Sequence, residues 1–235
     1  MPIPFLPAYD DITPFPPVEQ ALMEPNGLLM AGGNLSPARL LSAYRSGIFP
    51  WFEEGEPILW WSPDPRCVLW PGDIKIRRSL LKTIRKGHFR LSENTAFRRV
   101  MQACAAPRSK GAGTWITDTM IDAYHILHEL GLARSIEVWL DEQLVGGLYG
   151  VMVGDIFVGE SMFSRVPDAS KVALVHLATV NEFKLIDCQL STPHLQSMGA
   201  VEISREAYLG YLKRYGKLNS RQIAPSLDKT RLRLV

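Results

Sequence analysis

Two short stretches carry side chains that could do chemistry. Phe157 to Phe163 is an apolar run broken by one carboxylate, Glu160, and one hydroxyl, Ser161. Leu185 to Leu190 is a second short apolar run, holding Asp187 and Gln189. Side chains alternate along a strand, so this stretch predicts Asp187 and Gln189 on one face with Leu185, and Ile186, Cys188 and Leu190 on the other. A carboxylate inside a buried strand is costly unless it is paired, hydrogen-bonded or functional. Capping a helix, pairing with an arginine and handling a proton all satisfy that requirement, and the strand alone leaves the three open.

The elements that must position these groups are legible around them. Leu144 to Val153, turned by Gly154-Asp155 into Ile156 to Phe163, predicts two strands of a meander that begins at Ser135 to Leu140. Asp168 opens a helical stretch to about Phe183, and the strand at Leu185 follows. Upstream, Ser36 and Pro37 read as the cap and first position of a helix to Arg45, ended near Gly47. Thr117 caps a helix to Leu130, and Ser204 caps a last one to about Tyr215. Met1 to Pro17 reads as an extended arm, and Pro63 and Pro65 mark a boundary. The expected fold is α+β: a small N-terminal α/β domain over residues 1–64 and a larger domain over 65–235, its mixed, largely antiparallel sheet flanked by helices.

Composition narrows the function classes. No apolar run approaches the length of a membrane span, and no secretory signal is evident, so the expected location is cytoplasmic. Cys67, Cys104 and Cys188 are odd in number and far apart, against a disulfide framework or zinc site. The Gly32-Gly33 loop lacks the lysine and spacing of a phosphate-binding P-loop, and His125 and His128 do not form a metalloprotease motif. Charge is uneven: residues 66–110 hold 12 Lys/Arg against 2 Asp/Glu, a net of +10. That density suggests a polyanionic partner, with Arg77, Arg78, Lys82 and Arg85 as phosphate contacts. Trp51, Trp60, Trp61 and Trp70 crowd one stretch; most suit a core, and one or two could stack on a base.

Taken together, several segments resemble the leucyl/phenylalanyl-tRNA–protein transferases. They include Gly32-Gly33-Asn34-Leu35-Ser36-Pro37, Gly47-Ile48-Phe49-Pro50-Trp51, Trp60-Trp61-Ser62-Pro63-Asp64-Pro65-Arg66, Gly113-Thr114-Trp115-Ile116-Thr117, Gly159-Glu160-Ser161-Met162-Phe163-Ser164 and Ile186-Asp187-Cys188-Gln189. The resemblance covers roughly residues 15 to 210. It implies a bacterial enzyme with an acetyltransferase-like larger domain. The activity implied is transfer of Leu or Phe from aminoacyl-tRNA to the α-amine of proteins beginning with Arg or Lys, which marks them for N-end-rule degradation. No cofactor, metal or membrane is implied. By resemblance, Asp187 draws the proton or charge of the amine and Gln189 positions it, while Glu160 holds the acceptor's cationic side chain. Ser161 and Met162 line the amino acid pocket, and Trp51 and Trp115 flank the adenosine. Two other classes compete. One is an acyl-CoA N-acyltransferase, favoured by the fold and by Arg108 to Gly113, which spells R-x-x-G-x-G; the other is a non-catalytic tRNA-binding protein using the basic region alone.

Overall fold

The computed structural model describes residues 3–10, 12–106, 115–180 and 182–217. Arg108 to Gly113 and the basic stretch after residue 217 lie outside the described residues.

Local chemistry sets the first elements. Strand β1 (Phe5–Leu6) lies parallel to β2 (Leu28–Gly32), so the expected arm is tied into a sheet. The Ser36 hydroxyl accepts the Arg39 N–H and Pro37 takes the first turn, which starts helix α1 (Pro37–Arg45) where its orphan amides are capped. Strands β3 (Phe49–Pro50) and β4 (Leu59–Trp61) complete a sheet of order β1-β2-β4-β3. The chain then enters a second sheet at β5 (Arg66–Leu69). Basic helix α2 (Arg78–Lys86) is shorter than its charge run, because Gly87 takes a left-handed conformation (φ 66°) and turns the chain into β6 (Arg90–Glu93). Helices α3 (Phe97–Ala105) and α4 (Asp118–Glu129) follow, the latter capped by Thr117 as expected.

Next come the meander strands β7 (Ala133–Leu140), β8 (Gln143–Val153) and β9 (Ile156–Ser164), helix α5 (Ala169–Val180) and strand β10 (Leu185–Gln189). Short helix α6 (Pro193–Ser197), strand β11 (Val201–Ile203) and helix α7 (Arg205–Tyr215), capped by Ser204, finish the described chain. The large sheet runs β11-β5-β10-β9-β8-β7-β6. It is mixed: β10 is parallel to β9 and antiparallel to β5.

The chain changes sheet between Trp61 and Arg66, yet one apolar cluster runs across the change. It joins Leu29, Tyr44 and Trp60 from the first part to Val68, Val100, Tyr124 and Tyr208 from the second. A second cluster, including Phe157, Leu174, Leu177 and Ile186, fills the other side of the large sheet under α5. Trp60 is fully buried, with Nε1 donating to Gly32 O at 2.8 Å; Trp61 and Trp70 pack against the core at its edge. His128 stacks on Phe97 at 4.4 Å and its Nδ1 lies 3.0 Å from Ala133 O, so this histidine is a packing residue.

Two irregularities matter for function. In the β8–β9 pair Tyr149 faces Ser161 and Gly150 faces Gly159, leaving Glu160 as an extra residue. In the β10–β5 pair Asp187 faces Val68 and Gln189 faces Cys67, leaving Cys188 as an extra residue. Both are β-bulges, and bulges re-aim side chains that a regular strand would send elsewhere. Gly150 permits the first: a Cβ there would fall 2.2 Å from Val158 O.

Candidate active site

Strands β9 and β10, with α3 and α5, wall a cavity of about 750 Å3. Leu148, Phe157, Met162, Leu174, Leu177 and Ile186 make it apolar on one side; Trp115, Glu160, Ser161, Cys188, Gln189 and His194 supply its polar and aromatic groups.

Glu160 is the centre of that polar set. It is 7% exposed. Gln189 Nε2 donates to Oε1 at 2.9 Å and the Tyr124 hydroxyl donates to Oε2 at 3.1 Å. Tyr44 joins through a short hydroxyl contact with Tyr124. Burial pushes the Glu160 carboxyl up to about 7, against the pull of the Tyr44 and Tyr124 hydroxyls. Burial first, and the Glu160 charge second, keep the Tyr44 and Tyr124 phenols protonated, so each has one proton to donate within this cluster. The Tyr149 hydroxyl is also buried on the cavity wall and has no hydrogen-bond partner among the described residues. The site is therefore a carboxyl that changes charge near neutral pH, held by donors, at the edge of an apolar cavity.

Asp187 is placed differently from the expectation that it meets the amine. Its side chain is fully buried and does not reach the cavity. Arg66 Nε and Nη2 grip its two oxygens at 2.9 and 2.7 Å, and the Tyr208 hydroxyl donates to Oδ2 at 2.7 Å. Arg66 is itself sandwiched by the rings of Phe49 and Tyr208, 4.8 and 4.6 Å from their centroids, and donates to Gly47 O at 3.1 Å. Of the readings left open by the strand, pairing with an arginine holds. The physical reason is the bulge: alternation would put Asp187 and Gln189 on one face, but the extra residue and the left-handed Gln189 (φ 61°) send them apart. What remains between them is a backbone link, Gln189 N donating to Asp187 Oδ1 at 2.9 Å. Asp187 thus holds the peptide that carries Gln189.

The other predicted residues divide. Ser161, Met162 and Trp115 line the cavity with Glu160 and Gln189. Trp51 does not: its ring, 42% exposed, lies against Trp61 at 5.7 Å. Glu160 faces the cavity with one hydrogen bond from the protein on each oxygen. Arg77, Arg78, Lys82 and Arg85 are exposed on or beside α2, and none is ion-paired with a described residue. Thr83 Oγ1 donates to Asp168 Oδ2 at 3.1 Å, which ties α2 to the start of α5, the helix that walls the cavity. The residues that sequence reasoning missed are Tyr44, Tyr124, Arg66 and Tyr208. A signal for Arg66 was present: it is the one charge in the buried strand Arg66–Leu69.

Residues 68–213 match the protein family described as leucyl/phenylalanyl-tRNA protein transferase, and residues 33–64 match that family's N-terminal domain. The chain belongs to this family. A leucyl/phenylalanyl-tRNA–protein transferase from Nitrosomonas eutropha is 62% identical over 209 residues, covering 88% of each chain. One from Azoarcus is 60% identical over 213 residues, 89% of this chain and 91% of that one. Among solved structures, a GCN5-related N-acetyltransferase from Kribbella flavida overlaps 72% of this chain and 61% of its own at 10% identity and a TM-score of 0.37. As a leucyl/phenylalanyl-tRNA–protein transferase family member, the chain is an aminoacyltransferase of mixed α/β fold. Among the described residues no helix is long and apolar enough to cross a membrane, and no cluster of three or more His, Cys, Asp or Glu could hold a metal ion.

Proposed function

We propose that this chain moves Leu or Phe, and Met as a further donor, from aminoacyl-tRNA to the α-amino group of proteins that begin with Arg or Lys. The reaction takes place in the cytoplasm and marks those proteins for N-end-rule degradation. Membership of the family supports the reaction class. The observation that carries the site assignment is the Gln189–Glu160 pair, 2.9 Å apart, on the wall of an apolar cavity.

The donor is already an activated ester, so catalysis is positioning plus proton handling. The aminoacyl side chain enters the apolar part of the cavity past Met162 and Phe157, and the terminal adenosine stacks on Trp115. Trp51, on the exposed face with Trp61, is a secondary contact for the tRNA end. The incoming α-amine attacks the ester carbon. Its proton passes to Glu160, whose affinity for a proton near neutrality suits that step, and leaves with the ribose 3′-oxygen when the ester bond breaks. Gln189 fixes Glu160 through its amide, and Asp187 acts behind it as a positioning residue.

Incubation with Phe-tRNA and a peptide beginning with Arg should add one phenylalanyl residue to the peptide mass, and an otherwise identical peptide beginning with Ala should gain nothing. No mass gain with either Leu- or Phe-tRNA would overturn the reading. Acylation of both peptides alike would overturn the acceptor assignment.

A further inference from the structure

The same bulge that separates Asp187 from Gln189 brings two cysteines together. Cys67 on β5 faces Gln189, and Cys188 is the extra residue before it, so the bulge sets Cys188 and Gln189 together across from Cys67. Both side chains pack into the apolar cluster under α5, close enough that each thiol shifts the other's proton affinity. Both are free thiols. Cys67 is buried, whereas Cys188 lines the cavity and is partly exposed. A disulfide tolerates Cα atoms roughly 4.4–6.8 Å apart, and the bulge sets Cys188 directly beside the Cα partner of Cys67.

We propose that Cys67 and Cys188 form an oxidisable dithiol in the cavity wall, closed to a disulfide by a peroxide and reopened by a small thiol, and that closure switches the transferase off. In the first step the Cys188 sulfur attacks the peroxide oxygen, giving a sulfenic acid and water. In the second the Cys67 sulfur attacks that sulfur; the S–S bond forms, and the hydroxyl leaves as water with the Cys67 proton. Two electrons pass from the two thiols to the peroxide. Solvent reaches Cys188 through the cavity, and Cys67 sits behind it as the resolving thiol. Exposure rather than thiolate character selects Cys188 for the first step, which is slow because the Cys67 contact and burial raise its thiol well above the ordinary value; the Cys67 thiol, held below its own by the Cys188 contact, suits the attack in the second step.

The effect on activity follows from chain position. Cys188 lies between Asp187, locked by Arg66, and Gln189, which holds Glu160. Pulling Cys188 toward Cys67 cannot move the locked side, so Gln189 moves. A displacement of about 1 Å at a catalytic group can cost about a hundredfold in rate. The inference rests on the transferase reading for its consequence but not for its chemistry.

The test uses the full chain, reduced and then titrated with hydrogen peroxide, with alkylation before digestion. A Cys67–Cys188 linked peptide should appear, with the intact mass falling by two hydrogens. Transfer from Phe-tRNA to the Arg peptide should fall about a hundredfold in step with it, and dithiothreitol should restore both. Cys67→Ser should abolish the linked peptide and the dithiothreitol-reversible loss; circular dichroism checks its fold, and the wild-type peptide map does not depend on it. A linked peptide joining Cys104 instead, no linkage at all, or linkage with unchanged transfer would each overturn the proposal. Absence of transfer in the fully reduced protein would overturn the proposed function, while the peptide map would still report the thiol chemistry.

Discussion

At the scale of single residues, the site turns on two carboxylates with opposite environments. Glu160 is buried among hydrogen-bond donors with no cation on it among the described residues; Asp187 is buried against an arginine. Burial raises the proton affinity of the first to near neutrality, and the second is held in an ion pair. Glu160→Gln should therefore lower kcat by about 10²–10⁴, the range for a lost acid–base group, with the fold retained. The wild-type rate should rise with pH with a midpoint near 7, and the variant should lose that dependence. Stability should respond in the same window. The folded carboxyl sits at about 7 against an ordinary 4.5, so the folded state holds the extra proton between those values. Its contribution is then full below 4.5 and is lost as pH rises through 7. Melting temperature should fall over that range in the wild type and stay flatter in Glu160→Gln. Asp187→Asn should behave otherwise. It leaves Arg66 buried and uncompensated, at a cost of about 3–5 kcal/mol in unfolding free energy. Chemical denaturation should show that loss. Replacing Arg66 and Asp187 together by Met and Leu should recover much of the stability but not the activity, because Gln189 N loses its acceptor. An Asp187→Asn variant with wild-type stability would return this residue to direct chemistry.

At the scale of elements, α5 connects two surfaces. Its Leu174 and Leu177 wall the cavity, and its first turn is tied to α2 through Asp168 and Thr83. Leu80 anchors α2 inward and leaves its cationic side chains exposed to solvent. Neutralising Arg77, Arg78, Lys82 and Arg85 together should weaken all charged tRNAs about equally. The slope of log affinity against log salt should become shallower by about 3–4, near one unit per cation. Filter binding at several salt concentrations checks this. An unchanged slope would move the tRNA backbone to another face.

At the scale of the whole molecule, the site is assembled across the change of sheet. Tyr44 comes from α1 and reaches Glu160 through Tyr124; Arg66 is held by Gly47 O and Phe49 from the small sheet's side. The N-terminal part thus helps to hold Glu160 and the Arg66–Asp187 pair in place. Tyr44→Phe keeps the ring and removes one hydroxyl, so it should cost only about 1 kcal/mol in stability. Its informative readout is the pH profile. With one donor fewer to the Tyr124–Glu160 cluster, the kinetic midpoint should move upward from the wild-type value. A profile that does not move would confine Tyr44 to packing.

Much of this was legible in the chain before any coordinates. Capping at Ser36, Thr117 and Ser204, the meander from β7 to β9, and the helix and strand after it are local matters of hydrogen-bond donors and hydrophobic period, and the structure has them where those signals lie. Family motifs marked the Glu160 and Gln189 segments for the same reason, since a motif is a local string. Alternation along β10 was the inference that failed, because a bulge leaves no mark in a five-residue strand. The partners that define each carboxylate were equally out of reach. Arg66 meets Asp187 across 121 residues, and Tyr44 meets Tyr124 across 80. Such pairs depend on the order of strands in the sheet and the register between them. Those are set by how two whole faces pack, so a carboxylate's neighbours, and with them its charge and its role, follow from the assembled sheet.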